Sequence, residues 1–271
     1  MKLAICNETY RDWDLARACE HAAGAGYDGL EIAPFTLAND PSELTERDAA
    51  RAAEVVRGAG LEVVGLHWLL LRPAGLHVAT PDDAVRARTV RFAQHLARLC
   101  GAMGGEVLVW GSPAQRSFDP GWDRAAATAR AVDAWRAVAE VAAAAGACVC
   151  LEPLAASETN FVTSAAEGRE LVRRVDHPAF RLHLDVKAMS DEREPIPEII
   201  RASAGELRHF HANDPNLRGP GSGDVDYAPI AAALREASYD RWLSVEVFDY
   251  SPGPEAIAAE SIEYLRSVFG R

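Results

Sequence analysis

The chain has 271 residues, 49% of them hydrophobic and 25% charged, which is ordinary for a globular protein and long enough for one large core or two smaller ones. A formal net charge of −12 excludes the broad basic face that neutralising a phosphate backbone requires, so nucleic acid is not an expected partner. No run of about 18 apolar residues is present and the opening MKLAICNETY lacks the apolar stretch of a secretion signal, so no membrane partner and a cytoplasmic location are expected.

Taken in chain order, short β-prone runs alternate with amphipathic stretches. LAICN (3–7) leads to a helical pattern over 13–24, GLEIA (29–33) to 45–59, LEVVGLH (61–67) to 81–100, and EVLVW (106–110) to 123–145. ACVCLE (147–152) then leads to 164–174, FRLHLD (180–185) to 196–203, LRHFHA (207–212) to 227–236, and WLSVEV (242–247) to 255–268. Glycines sit at the helix-to-strand joints (Gly24 and Gly26, Gly58 and Gly60, Gly101, Gly146), and prolines in the strand-to-helix loops. Eight strand–helix units with no linker between them predict a single-domain (β/α)8 barrel, a TIM barrel, over 1–271; a doubly wound open sheet is the alternative. The five cysteines form no CxxC pair, and Cys148 and Cys150 share a strand face with Glu152, so they are expected to pack in the barrel interior.

Four of the strands end on a potential ligand: Glu152, Asp185, His211 and Glu246, separated by 33, 26 and 35 residues. About 31 residues per unit is what eight units in roughly 250 residues give, and such barrels build their sites at the C-terminal ends of the strands. Parity agrees, since His183 and Asp185 oppose Leu182 and Leu184, His209 and His211 flank Phe210, and Ser244 and Glu246 oppose Leu243 and Val245. Two Glu, one Asp and one His without a Cys make a hard donor set for a divalent metal, Mn²⁺ first, with Mg²⁺, Co²⁺, Fe²⁺ or Zn²⁺ as alternatives. A cation on a substrate carbonyl and hydroxyl stabilises an enediolate, and flanking carboxylates take and return the proton, which is isomerase or epimerase chemistry. His67 and Trp68, which close the third strand, Trp110, which closes the fourth, and Gln115, Arg116 and Arg218 in loops are candidate contacts for a carbohydrate substrate. The glycine-rich 219–223 segment is expected as a lid, and Glu31 has lumen parity.

These residues resemble the xylose-isomerase-like TIM barrels, in particular the ketose 3-epimerase, hydroxypyruvate isomerase and inosose dehydratase group. LEP (151–153) with Glu158, LHLD (182–185), HFHANDP (209–215) with GPGSGDVD (219–226), and SVEV (244–247) carry the resemblance over the whole chain. It implies that Glu152, Asp185, His211 and Glu246 hold the metal, that Glu152 and Glu246 are also the two acid/base carboxylates, and that Glu158 binds substrate. Where this group places a His and an Arg on the substrate the chain has Ala188 and Leu217, leaving Lys187 and Arg218 as the nearby substitutes. The expected function is a divalent-metal-dependent isomerase or epimerase of a sugar, ketose or keto-sugar derivative, with association into a homo-oligomer. The alternative is a metal-dependent lyase or dehydratase on a keto-sugar or keto-glycoside, of the inosose dehydratase or C-glycoside deglycosidase kind. A metal-dependent nuclease would need a basic groove, which −12 does not provide, and a non-catalytic sugar-binding barrel would have no use for the full ligand quartet.

Overall fold

The computed structural model describes residues 1–270. Among them, eight strands follow one another as β1 (Lys2–Cys6), β2 (Gly29–Ile32), β3 (Glu62–Leu66), β4 (Val107–Trp110), β5 (Cys148–Leu151), β6 (Phe180–Asp185), β7 (Leu207–Ala212) and β8 (Trp242–Val245). Each pairs in parallel with the next, and β8 pairs back onto β1, so the sheet closes as the expected (β/α)8 barrel rather than an open sheet.

The helices are α1 (Leu15–Ala25), α2 (Glu46–Gly58), α3 (Asp83–Met103), α4 (Arg124–Ala144), α5 (Ala165–Val175), α6 (Val186–Ser190), α7 (Ile196–Ala202), α8 (Tyr227–Glu236) and α9 (Pro254–Phe269). Side-chain caps fix most of the starts: Asp14, Thr45, Asp82, Asp123, Ser164 and Asp226 each accept a backbone N–H of the first turn, a contact typically worth about 1 kcal/mol. Two details differ from the sequence reading. Helix α6 was not anticipated, because five residues are too few to show a period; it begins where Asp185 accepts the Ala188 amide at 2.8 Å. Helix α3 runs on to Met103 and is capped by Gly104 (φ 76°), while Gly101 lies within it, where a Cβ would stand 2.5 Å from the Ala145 carbonyl oxygen at the end of α4. No helix among the described residues is long and apolar enough to cross a membrane.

Strand alternation separates two interiors. Leu3, Ile5, Leu108, Leu151, Leu184 and Phe210 face the helices and join the large apolar core. Ala4, Val64, Val107, Cys148, Cys150 and Trp242 form a separate apolar cluster in the lumen, where Cys148 and Cys150 were expected. Further along the strands the lumen becomes polar, with Glu31, His183, His209, His211 and Ser244 all buried. Register shifts between Leu30 and Glu31 and between Leu182 and His183 fall at the start of this polar layer. Such irregularities are how sheets re-aim side chains beside a site.

Candidate active site

Glu152 and Glu246 stand one residue beyond β5 and β8, but their amides still bond the neighbouring strands, to the Trp110 carbonyl at 3.2 Å and the Ala212 carbonyl at 3.4 Å. Asp185 and His211 are register partners of β6 and β7. The four expected residues therefore meet at the C-terminal mouth of the barrel. His183, two residues before Asp185 on the same face, joins them: one ligand atom each from Glu152, His183, Asp185 and His211 lies within 4.8 Å of the others. Glu246 stands at the side of this set, with its Oε2 3.0 Å from His211 Nδ1 and its Oε1 accepting from Trp68 Nε1 at 2.7 Å.

The electrostatics of this mouth call for positive charge. Burial pushes the Glu152 carboxyl well above the usual carboxylate range, and the charges of Glu246 and Asp185 add to the effect. Asp185 is pushed up to about 6 by burial and by Glu246, although Ala188 N and Asn213 Nδ2 donate to its oxygens at 2.8 and 2.6 Å. Burial opposes the charge of Glu246 as well, yet His211 and the Trp68 indole hold it below the ordinary value. His183 is fully buried, and neither of its ring nitrogens has a hydrogen-bond partner among the described residues. Its Nε2 lies 3.7 Å from Glu152 Oε1, and burial together with His211 and His209 holds it well below the usual imidazole range. Underneath, Glu31 bridges His209 Nε2 at 2.8 Å and His211 Nε2 at 3.1 Å. A carboxylate on one ring nitrogen turns the other towards a metal. Crowded carboxylates, unpartnered neutral imidazole and no thiolate in the set are a donor chemistry that fits a divalent cation, and the cluster could bind one.

Beside the cluster opens a cavity of about 270 Å³ lined by both Glu152 and Glu246. Of the expected substrate contacts, His67, Gln115 and Glu158 line it too. Lys187 donates to Glu158 Oε2 at 2.8 Å and lies 4.6 Å over the ring of Phe248, another lining residue. Burial works against the Lys187 ammonium, but its bond to Glu158 and the charge of Asp185 raise it above the ordinary value. The Glu152 side chain passes so close to Gly111 that a Cβ there would lie 1.7 Å from Oε2.

Three expected contacts lie elsewhere. Trp110 shares the outward parity of Leu108, so its indole packs edge-on to Trp135 of α4 at 6.3 Å, and Val109 lines the cavity instead. Arg116 is fully buried and donates from Nη1 to the Glu152 carbonyl at 2.6 Å, so it holds the Glu152 backbone and does not line the cavity. Arg218 donates from Nε to Asp249 Oδ2 at 2.8 Å, out on an exposed rim. The 219–223 segment, expected as a lid, packs on α9: a Cβ at Gly219 would meet Ser261 Oγ at 2.0 Å, and one at Gly221 would meet the Tyr264 ring at 2.4 Å. Two pairings of the buried layer carry no local sequence signal. Glu8, in a 3-10 turn over Asn7–Tyr10, meets His67 at 2.6 Å across 59 residues of chain, and His209 reaches Glu31 across 178.

Comparison with known proteins gives the family. Residues 19–268 match the model of the xylose isomerase-like TIM barrel. The chain is 32% identical over 237 residues to the D-psicose 3-epimerase of Agrobacterium fabrum, covering 84% of this chain and 78% of that protein. It is 23% identical over 282 residues to the 3-dehydro-D-guloside 4-epimerase of Escherichia coli, covering 98% and 100%. The solved structure of a D-psicose 3-epimerase in the presence of D-fructose superposes with a TM-score of 0.87 at 23% identity over 100% of both chains. The chain therefore belongs to the xylose isomerase-like TIM barrel family. Within it, it is an enzyme of the sugar epimerase and isomerase kind.

Proposed function

We propose that the protein is a divalent-metal-dependent epimerase or isomerase of a ketose or keto-sugar derivative, with Glu152 and Glu246 as its two acid/base groups. The observation that carries this reading is that these two carboxylates, from strands on either side of the Asp185–His211 pair, line one cavity next to the buried cluster. Glu152, Asp185, His211 and Glu246 would hold the cation, with His183 as a fifth group within reach. Mn²⁺ suits a set dominated by carboxylate oxygens with imidazole beside them, and Mg²⁺, Co²⁺, Fe²⁺ and Zn²⁺ are the alternatives. A bound divalent cation would supply the charge that stabilises an enediolate developing on the substrate carbonyl and its neighbouring hydroxyl.

The chain's own residues then do the positioning. Arg116 on the Glu152 carbonyl fixes one carboxylate, and Trp68 Nε1 with His211 Nδ1 fixes the other. In this reading one glutamate takes the proton from the substrate carbon and the second returns one from the opposite side, while the Lys187–Glu158 pair holds substrate hydroxyls. Reaction in D₂O tests it: the epimerised carbon should gain solvent deuterium, and Glu152→Gln and Glu246→Gln, loaded with metal, should each lose about 10²-fold or more in kcat. Product that keeps the substrate hydrogen entirely, or near-normal turnover by both variants, would rule out two-base transfer. An elimination would show a new alkene or enol product and would need only one of the two glutamates.

A further inference from the structure

We infer that Asn213 is a positioning residue of the metal centre, one whose side-chain amide aims the Asp185 carboxylate at the cation and with its other end anchors the backbone that carries Lys187. The inference rests on the proposed reading of Glu152, Asp185, His211 and Glu246 as the residues that would hold a divalent cation. Asn213 follows the last residue of β7 and is fully buried. Its Nδ2 donates to Asp185 Oδ2 at 2.6 Å, its Oδ1 accepts from the Lys187 amide at 2.8 Å, and its own carbonyl accepts from Tyr227 Oη of α8 at 2.6 Å.

The orientation of the side chain follows from its partners. A backbone N–H only donates, so the atom facing Lys187 must be the oxygen, and the nitrogen is left for Asp185. That nitrogen has hydrogens to give and no lone pair for a cation, so Asn213 acts on the metal only through Asp185. Asp185 then carries a fixed donor on each oxygen, Ala188 N on Oδ1 at 2.8 Å and Asn213 Nδ2 on Oδ2. A carboxylate oxygen accepts from more than one direction, so both oxygens keep a free lone pair while the group loses its freedom to turn. Freedom to turn would matter here, because Glu152 and Glu246 carry like charge beside Asp185 and would drive a loosened carboxylate away from the cluster. The other end of the amide works towards the substrate. Helix α6 has five residues, too few to hold itself together, and the N–H groups of its first turn need partners from outside. Asp185 supplies one to Ala188 and Asn213 supplies one to Lys187, whose Nζ reaches Glu158 Oε2 at 2.8 Å. A single planar group thus ties a metal ligand to the residue that grips Glu158.

Calorimetric titration of Mn²⁺ into metal-free wild-type, Asn213→Ala, Asn213→Leu and Tyr227→Phe proteins tests this. Loss of a partner that orients a ligand costs about 10–100-fold in metal affinity, so both Asn213 variants should bind Mn²⁺ at least about tenfold more weakly than wild type. Asn213→Leu keeps the bulk of the side chain and carries the test if the alanine variant does not fold. Tyr227→Phe removes a buried hydrogen bond from the same residue but leaves its amide in place, so it should lower the urea midpoint without changing Mn²⁺ affinity. The EPR spectrum of bound Mn²⁺ at saturating metal reads the ligand geometry itself, and should change in the Asn213 variants and keep its wild-type form in Tyr227→Phe. Wild-type affinity and spectrum in a folded Asn213 variant would overturn the positioning role. An equal loss of affinity in Tyr227→Phe would assign the effect to packing and overturn it as well, and so would failure of both Asn213 variants to fold while Tyr227→Phe folds. Wild-type protein that takes up no divalent cation would instead remove the metal reading on which the inference stands, so the two failures are told apart.

Discussion

Replacing Gly111 by alanine separates the position of Glu152 from the stability of the fold. The added Cβ would lie 1.7 Å from Glu152 Oε2 and 2.9 Å from Cδ, whereas real Cβ contacts essentially never fall below 3.0 Å, so the carboxylate must retreat by about 1.3 Å. The backbone cannot supply that movement. The Glu152 amide is bonded to Trp110, its carbonyl to Arg116, and β4 and β5 are registered from Val107–Cys148 to Trp110–Leu151. The side chain must turn instead, and turning a three-torsion side chain costs on the order of 1 kcal/mol. Displacement of a reacting group by about 1 Å costs on the order of 10² in rate. Gly111→Ala is therefore expected to lower kcat about a hundredfold while the urea midpoint moves little. Denaturant melts and initial rates on metal-saturated protein measure both. Wild-type kcat in a folded Gly111→Ala protein would refute the placement of the Glu152 carboxylate in the reaction path.

Two further outcomes follow from the packing. Trp110→Phe should leave KM unchanged, because the indole faces α4, while Trp135→Ala, which strips a fully buried ring stacked on Phe161 at 5.9 Å, should cost about 3–5 kcal/mol in urea unfolding; a raised KM for Trp110→Phe would return that residue to the substrate. All five cysteines are buried, and burial pushes the Cys6 and Cys100 thiols up to about 12 and Cys19 to about 11. A thiol reagent at pH 8 should therefore find none in the native protein and five after denaturation, even though the Cys150 contact lowers Cys148; one fast native thiol would refute this burial.

The fold was legible because its signals are local. Each strand is a short apolar run, most helices begin at a side-chain cap, and the 33-, 26- and 35-residue spacing of Glu152, Asp185, His211 and Glu246 reports the strand–helix repeat directly. Where local signals conflicted, the reading failed in ways that parity explains. Trp110 ends a strand and so reads as a mouth residue, but EVLVW is apolar on both faces, and only the closed barrel shows that Leu108 and Trp110 share the outer one while Val107 faces the lumen. Arg116 and Arg218 follow strands and carry charge, but which charges are already satisfied depends on partners such as the Glu152 carbonyl and Asp249, and nothing in the flanking sequence names them.

The layer beneath the ligands shows why the rest could not be read from spacing. Glu31 is a lone acid in GLEI, and what it does is set by two imidazoles from β7, about 180 residues away, whose charges and hydrogen bonds together outweigh the cost of its burial and hold its carboxyl well below the usual range. Removing Glu31 alone would leave the His211 ring held by Glu246 only, and removing His209 alone would leave a buried carboxylate short of one donor. Each residue of this layer thus has its role only in the closed barrel. The register shifts at Leu30/Glu31 and Leu182/His183 place it there, directly below the cluster and joined to it through His211. The spacing of Glu152, Asp185, His211 and Glu246 is a property of the repeat, which a sequence displays. The orientation of His211 is a property of closure, which appears only when β2 and β7 face each other across the lumen.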